Sequence, residues 1–166
     1  MLIKAKTIQL HTIEKVQLFD LTNEVKGFLA ETGIRDGMGV VSTLHTTTGV
    51  FFTEVQDALW DDVHAFLQRI AAERVAYKHN DPHFSDCDRQ NAAAHLRSIV
   101  LGGAVTLQVE EGRLVLGQFQ RIVFAELDGP RPRSLRMQFM GERIACELPD
   151  WKKTESLQLP TNGGLR

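Results

Sequence analysis

The sequence predicts a compact single α+β domain, with a largely antiparallel sheet or sandwich and about three helices. Three observations carry that expectation. Strand-like segments cluster mainly towards the two ends of the chain. Segments of helical periodicity lie between them. No β–α–β dinucleotide fingerprint or phosphate loop occurs, because Gly37-Met38-Gly39 precedes a strand instead of following one and opening a helix.

Residues 2–10 (LIKAKTIQL) alternate apolar and polar, the pattern of a half-buried strand. Asp20 then caps a short helix in which Leu21, Val25, Phe28 and Leu29 recur at helical spacing. Gly33 ends that helix, and Arg35-Asp36-Gly37 reads as a turn. Residues 38–44 read as a buried strand running into His45-Thr46-Thr47-Thr48-Gly49. Thr53 and Gln56 have capping-box spacing, and Leu59, Val63, Phe66, Leu67 and Ile70 form one apolar helical face. A polar loop with two histidines follows, and a third helix is expected from about Asp88 to Ser98, before Gly102-Gly103. Residues 104–109 and 113–117 form a hairpin around Glu110-Glu111-Gly112, and 118–127 continue as a longer strand. The prolines of Asp128-Gly129-Pro130-Arg131-Pro132-Arg133 require a turn, and 134–142 return as a strand. The domain is therefore assigned to residues 1–142, and 143–166 to a loosely structured tail.

Composition excludes several classes. The 166 residues suit one domain, and a chain of this mass buries roughly 70% of its unfolded surface, enough for a core without staples. With 19 Lys and Arg against 21 Asp and Glu, no nucleic-acid or acidic-membrane footprint is expected. Apolar runs are too short to span a bilayer, and the alternating N-terminus is no signal peptide. Two cysteines make neither a disulfide scaffold nor a zinc knuckle. The expectation is a cytoplasmic protein.

Three histidines stand in unusual company. His45 closes a strand beside Thr46, His79 precedes Asn80-Asp81, and His95 lies on the third helix. On that helix Asn91, His95 and Ser98 share one stripe, and Ala92, Leu96, Ile99 and Val100 a separate apolar one. A polar stripe is usually a solvated face, but this one suits the wall of a polar pocket. If folding brings His45, His79 and His95 together, three imidazoles with an open position make a site for zinc or a similar ion, whereas Mg²⁺ prefers oxygen ligands. Glu54 and Glu126 then serve as ligand, orienting partner or general base. The alternatives are a helix-terminal charge at Glu54 and a surface residue at Glu126. Gln120 lies an even number of residues from Glu126, on one sheet face. Arg131 and Arg133, held by proline, suit capture of a phosphate or carboxylate, or else a salt-bridged turn. No GxSxG occurs, and Asp86 and Asp88 beside Cys87 disfavour a thiolate.

These segments resemble the YjbQ-like family, often labelled secondary thiamine-phosphate synthase. HTTTG (45–49) followed by Glu54, YKHND (77–81), NAAAHLRSIVLGGAVTL (91–107), GRLVLGQFQ (112–120) and ELDGPRPR (126–133) ending at QFMGE (138–142) come in family order and spacing. Thr53, Phe119 and Gln108 stand where the family commonly has Asn, Trp and Pro. The resemblance implies a YjbQ-like α+β domain that forms a homotrimer, with a pocket around His45, His79 and His95. It implies a weak formation of thiamine phosphate from a hydroxymethylpyrimidine diphosphate and a thiazole phosphate. On that expectation Arg131 and Arg133, with Thr46, Asn91 and Ser98, bind the small phosphorylated substrate. The histidines hold a divalent metal or leaving oxygens, and Glu126, Gln120 and Glu54 orient or catalyse. Two further readings of the same residues are a metal-dependent hydrolase of a phosphorylated or acylated metabolite, and a trimeric ligand- or metal-binding protein without catalysis.

Overall fold

The N-terminal alternation becomes an edge strand. The computed structural model describes residues 1–143, so most of the segment expected as a tail lies outside the described residues. Strand β1 (Leu2–His11) pairs antiparallel with β8 (Pro132–Arg143), which also pairs with β3 (Ile34–Thr43). Strands β5 (Ala104–Glu110) and β6 (Arg113–Leu114) complete a five-stranded sheet of order β1-β8-β3-β5-β6. A three-stranded sheet has β7 (Arg121–Glu126) between β2 (Gln17–Asp20) and β4 (Thr48–Thr53). Every pairing is antiparallel.

Two cores define the layers. Val41, Leu107, Leu135 and Phe139 of the large sheet meet Val50, Ile122 and Phe124 of the small one. Helix α1 (Thr22–Thr32) adds Val25, Phe28 and Leu29 to that core. On the other face of the small sheet, Val123 and Ala125 pack with Leu67 of α2 (Asp57–Ile70) and Ala94 of α3 (Ala92–Leu101). Strand β7 is therefore covered on both faces, which is why its residues 122–125 are an unbroken apolar run.

Several boundaries differ from the sequence expectation, each for a physical reason. Arg35-Asp36-Gly37 is not a turn but the start of β3, where the register shifts between Ile34 and Asp36. Gly33, at φ +67°, makes the reversal instead, taking the left-handed conformation that closes α1. Strand β3 is only half-buried, because Met38 and Val40 face outward. Strand β4 was not expected. It holds Thr53, so the capping box fails, and the Gln56 side chain itself accepts from the Leu59 N–H at 3.0 Å. Asp20 closes β2, though its carboxylate still accepts from the Thr22 N–H at 2.9 Å. Residues 117–120 turn before β7 begins. Arg133 belongs to β8, whose first residue Pro132 needs no ladder donor there.

Helix α3 begins four residues later than expected and lies the other way round. Ala93, Ala94, Arg97 and Ser98 are buried, while Leu96, Ile99 and Val100 face out. Small alanines let the helix approach β4, and Ser98 Oγ donates to the Thr48 carbonyl at 2.6 Å. No helix among the described residues is long and apolar enough to cross a membrane.

Candidate functional site

The antiparallel arrangement gathers one set of strand ends. The C-termini of β3 and β7 and the N-termini of β4 and β8 meet at the same end, where the N-terminus of α3 also arrives. A cavity of about 350 Å³ opens there, lined by residues of the 44–47 loop, the 87–91 segment, α3 and the start of β8. His45, Thr46, Asn91, His95, Arg131 and Arg133 all line it.

Its floor is a buried ion pair. Glu126 is fully buried and accepts five hydrogen bonds. They come from the Leu127 and Asp128 N–H groups, both at 2.9 Å, the Thr12 hydroxyl at 3.0 Å, and Arg133 twice, with Nε at 2.6 Å. A carboxylate has about four lone-pair sites, so none is left to take a proton from a substrate. Glu126 is thus an anchor rather than a free base. Arg133 is committed to it, and its Nη2 also donates to Thr47 Oγ1 at 3.0 Å. The Thr12 hydroxyl in turn accepts from the Arg131 N–H at 2.9 Å. A Cβ on Gly129 would stand 2.8 Å from both Glu126 Cγ and Thr12 Oγ1, so only glycine fits over this anchor.

Above the anchor runs a polar chain. Asn91 Nδ2 donates to Asp128 Oδ2 at 2.8 Å, which leaves Asn91 Oδ1 to accept from His79 Nε2 at 3.2 Å. Asp128 also pairs with Arg131 Nη2 at 3.0 Å and lies 3.8 Å from Arg89 Nη1. His79 and His95 stack edge to face with centroids 5.0 Å apart. His45 Nε2 accepts the Ser134 N–H at 2.8 Å, so the neutral ring carries its proton on Nδ1. The three imidazoles therefore do not form a common ligand set. Among the described residues, no three His, Cys, Asp or Glu side chains are grouped to hold one metal ion.

Burial lowers the pKa of His45, helped by Arg133 and opposed by Glu126. Burial also lowers that of His95, helped by His79 and opposed by Asp128 and the Thr46 backbone. Both rings are held neutral at pH 7; His45 Nε2 is already occupied by the Ser134 N–H, so only His95 is left to accept a proton. The unfolded chain binds protons at the ordinary value of 6.5, above the folded values. Stability is therefore expected to be full above that value and to fall as acid is added below it. Urea midpoints between pH 8 and 5 check this: a His45→Gln/His95→Gln protein should show a flatter decline than the parent, and parallel curves would contradict it.

Three residues singled out from sequence lie elsewhere. Ser98 is spent docking α3 on β4. Glu54 and Gln120 lie at the opposite end of the small sheet, next to the C-terminus of β4 and the N-terminus of β7. The six residues of β7 put that end about 17 Å away. Gln120 is exposed in a turn and not on a strand face with Glu126, and its Oε1 accepts from the Gly117 N–H at 3.1 Å. Thr12, Thr47, Arg89 and Asp128 escaped sequence reasoning. Only Asp128 carried a signal, as the acid that opens the Asp-Gly-Pro-Arg-Pro-Arg turn.

A family model described as "UPF0047 protein YjbQ-like" matches residues 6–142. The chain belongs to this family. A UPF0047 protein of Methanothermobacter thermautotrophicus is 37% identical over 135 residues, covering 81% of this chain and 90% of that one. The UPF0047 protein YugU of Bacillus subtilis is 38% identical over 137 residues, covering 82% and 98%. The crystal structure of a protein of unknown function from Sulfolobus solfataricus superposes with a TM-score of 0.79 at 29% identity, covering 84% of this chain and 98% of that one. The UPF0047 match spans every element of the cavity, from His45 to Arg133.

Proposed function

We propose that the cavity binds a small phosphorylated molecule and that the protein is an enzyme acting on it. The observation that carries this reading is the charge of the cavity. Arg89, Arg131 and Arg133 stand against Glu126 and Asp128, a surplus of one positive charge, beside two neutral imidazoles. Arg133 is spent on Glu126, so Arg131 and Arg89 supply the guanidinium donors to an anion, with the Thr46 hydroxyl beside them. His45, with its proton on Nδ1, donates to a leaving oxygen, and His95 accepts a proton.

The resemblance suggests the reaction. The thiazole nitrogen attacks the methylene carbon of the pyrimidine diphosphate, its C–O bond breaks, and diphosphate leaves with both electrons. The protein aligns the partners and stabilises the leaving anion. A homotrimer is part of the same proposal and is checked by sedimentation. Titration calorimetry with inorganic pyrophosphate is the first test. Arg131→Ala should weaken binding by about 10- to 100-fold, the worth of one charge-assisted contact. Equal affinity in parent and variant would remove the anion clamp. Product assays with the two thiamine precursors then distinguish synthesis from binding alone.

A further inference from the structure

We infer that residues 72–90, between α2 and α3, form a lid on one side of the cavity, which opens as a unit and closes when an anion bridges Arg131 of the fixed wall to Arg89 of the lid. This rests on the cavity being an anion site, and it adds a moving part and the residue that moves it.

The segment is set apart from the rest of the fold. Ala71 and Asn91, just outside it, are buried, but none of residues 72–90 is. None belongs to either core. The run exceeds the length of about 12–15 residues above which loops are uncommon and usually functional, and its regular structure is one short turn of 3₁₀ helix at Lys78–Asn80. Among the described residues, its backbone makes no hydrogen bond to the backbone of any strand or α-helix. Nor does it fill the space it encloses. A hollow of about 500 Å³ is lined wholly by residues between Glu73 and Gln90, so the segment curls around a void instead of packing. Segments with so few buried contacts open locally at far less cost than global unfolding.

Its attachments are few. Glu73 fixes one end, pairing with Lys15 at 2.8 Å and lying 3.6 Å from Arg97. In the middle, Asn80 Oδ1 accepts from the Ala92 N–H at 3.0 Å, and His79 Nε2 donates to Asn91 Oδ1 at 3.2 Å. Both bonds latch the segment to the start of α3. The far end carries Cys87 and Arg89 into the cavity lining. There the Arg89 side chain is 58% exposed and 3.8 Å from Asp128, whereas Arg131 is held to the same carboxylate at 3.0 Å. Arg131 is thus fixed and Arg89 loose. A phosphate or diphosphate has oxygens for both guanidinium groups, and drawing Arg89 onto it brings the lid inward. Exposed Asp86 and Asp88 flank Cys87 and oppose an anion, so Arg89 supplies the pull. Closure over a bound ligand is how such loops exclude water from a reacting centre.

Trypsin reads the lid, because Lys78 and Arg89 lie on it. Without ligand, the cut after Lys78 should be fast and change little with urea below the unfolding transition, since opening the lid alone exposes little surface. A cut as steep in urea as unfolding itself would make the segment part of the global fold and overturn the inference. Inorganic pyrophosphate at about ten times its dissociation constant, fixed by calorimetry, should slow the cut about tenfold. Arg89→Gln at about ten times its own constant should be slowed less than about twofold, and it also controls for effects of pyrophosphate on the protease. Pyrophosphate binding without slowing, or equal slowing in Arg89→Gln, would overturn the closure. Absence of any pyrophosphate binding would strike the anion reading and the closure with it, and the urea series, which needs no ligand, decides the opening separately.

Discussion

Replacing Arg133 by methionine is expected to cost about 3–5 kcal/mol of stability, the usual penalty for breaking one half of a buried ion pair. The size follows from what is left behind. Glu126 would keep its charge in a fully buried position and lose both guanidinium contacts, and the Thr47 hydroxyl would lose its donor. The pair joins the first inward residue of β8 to the last of β7, so it ties the two sheets at the cavity end. The double variant Glu126→Met/Arg133→Met removes the charge and its partner together. It should regain most of the loss, because well-packed apolar side chains replace a buried pair at little cost. Urea unfolding of the four proteins in the cycle gives the coupling directly. A methionine variant within about 1 kcal/mol of the parent would show that the pair contributes little to the fold.

The parts of this fold that sequence made legible are those with one buried face. Strand β1, helix α1 and strand β5 each place apolar residues at a single period, and Gly33 marks where α1 ends. Strand β4 escaped because it is buried towards the large sheet through Val50 and towards the helices through Phe51, so it shows no alternation. Helix α3 failed differently. Angular spacing states which residues share a stripe, but not which stripe meets the core. That was decided by partners far away in sequence: Ser98 meets Thr48, and Arg97 meets Leu67, Ala71 and Gln68. The same holds at the site. His45, Asn91, His95 and Arg131 could be picked out by their chemistry and their loops, and they meet at one cavity. That Glu126 would be saturated by Thr12, Arg133 and two backbone N–H groups was invisible, because the outcome depends on how the turn after β7 carries the chain from the small sheet into β8 of the large one.

The second large effect is expected at Arg97, for which sequence offered no role. Its side chain is 1% exposed, and Nε donates to the Leu67 and Ala71 carbonyls at 3.2 and 3.1 Å. Nη2 reaches Gln68 Oε1 at 3.1 Å, and Nη1 lies 3.6 Å from Glu73. Carbonyls at a helix C-terminus favour a cation, and here Leu67, which also accepts the capping Ala71 N–H at 3.2 Å, and Ala71 just beyond the helix both take Arg97 Nε. Arg97 thus closes the last turn of α2 and fastens it to α3. Arg97→Met should cost about 2–4 kcal/mol, since buried acceptors lose a charged donor. Arg97→Lys should recover only part, because one ammonium cannot span acceptors arranged for a planar fork. Glu73 keeps Lys15 at 2.8 Å, so the loss falls on the α2 terminus and the chain beyond it. That chain leads to His79, which reaches the cavity through Asn91 and by its edge-to-face contact with His95. Amide exchange in the methionine variant should therefore quicken across residues 67–80 while β7 stays protected. Uniform quickening through both cores would mean that Arg97 supports the whole fold and not this junction.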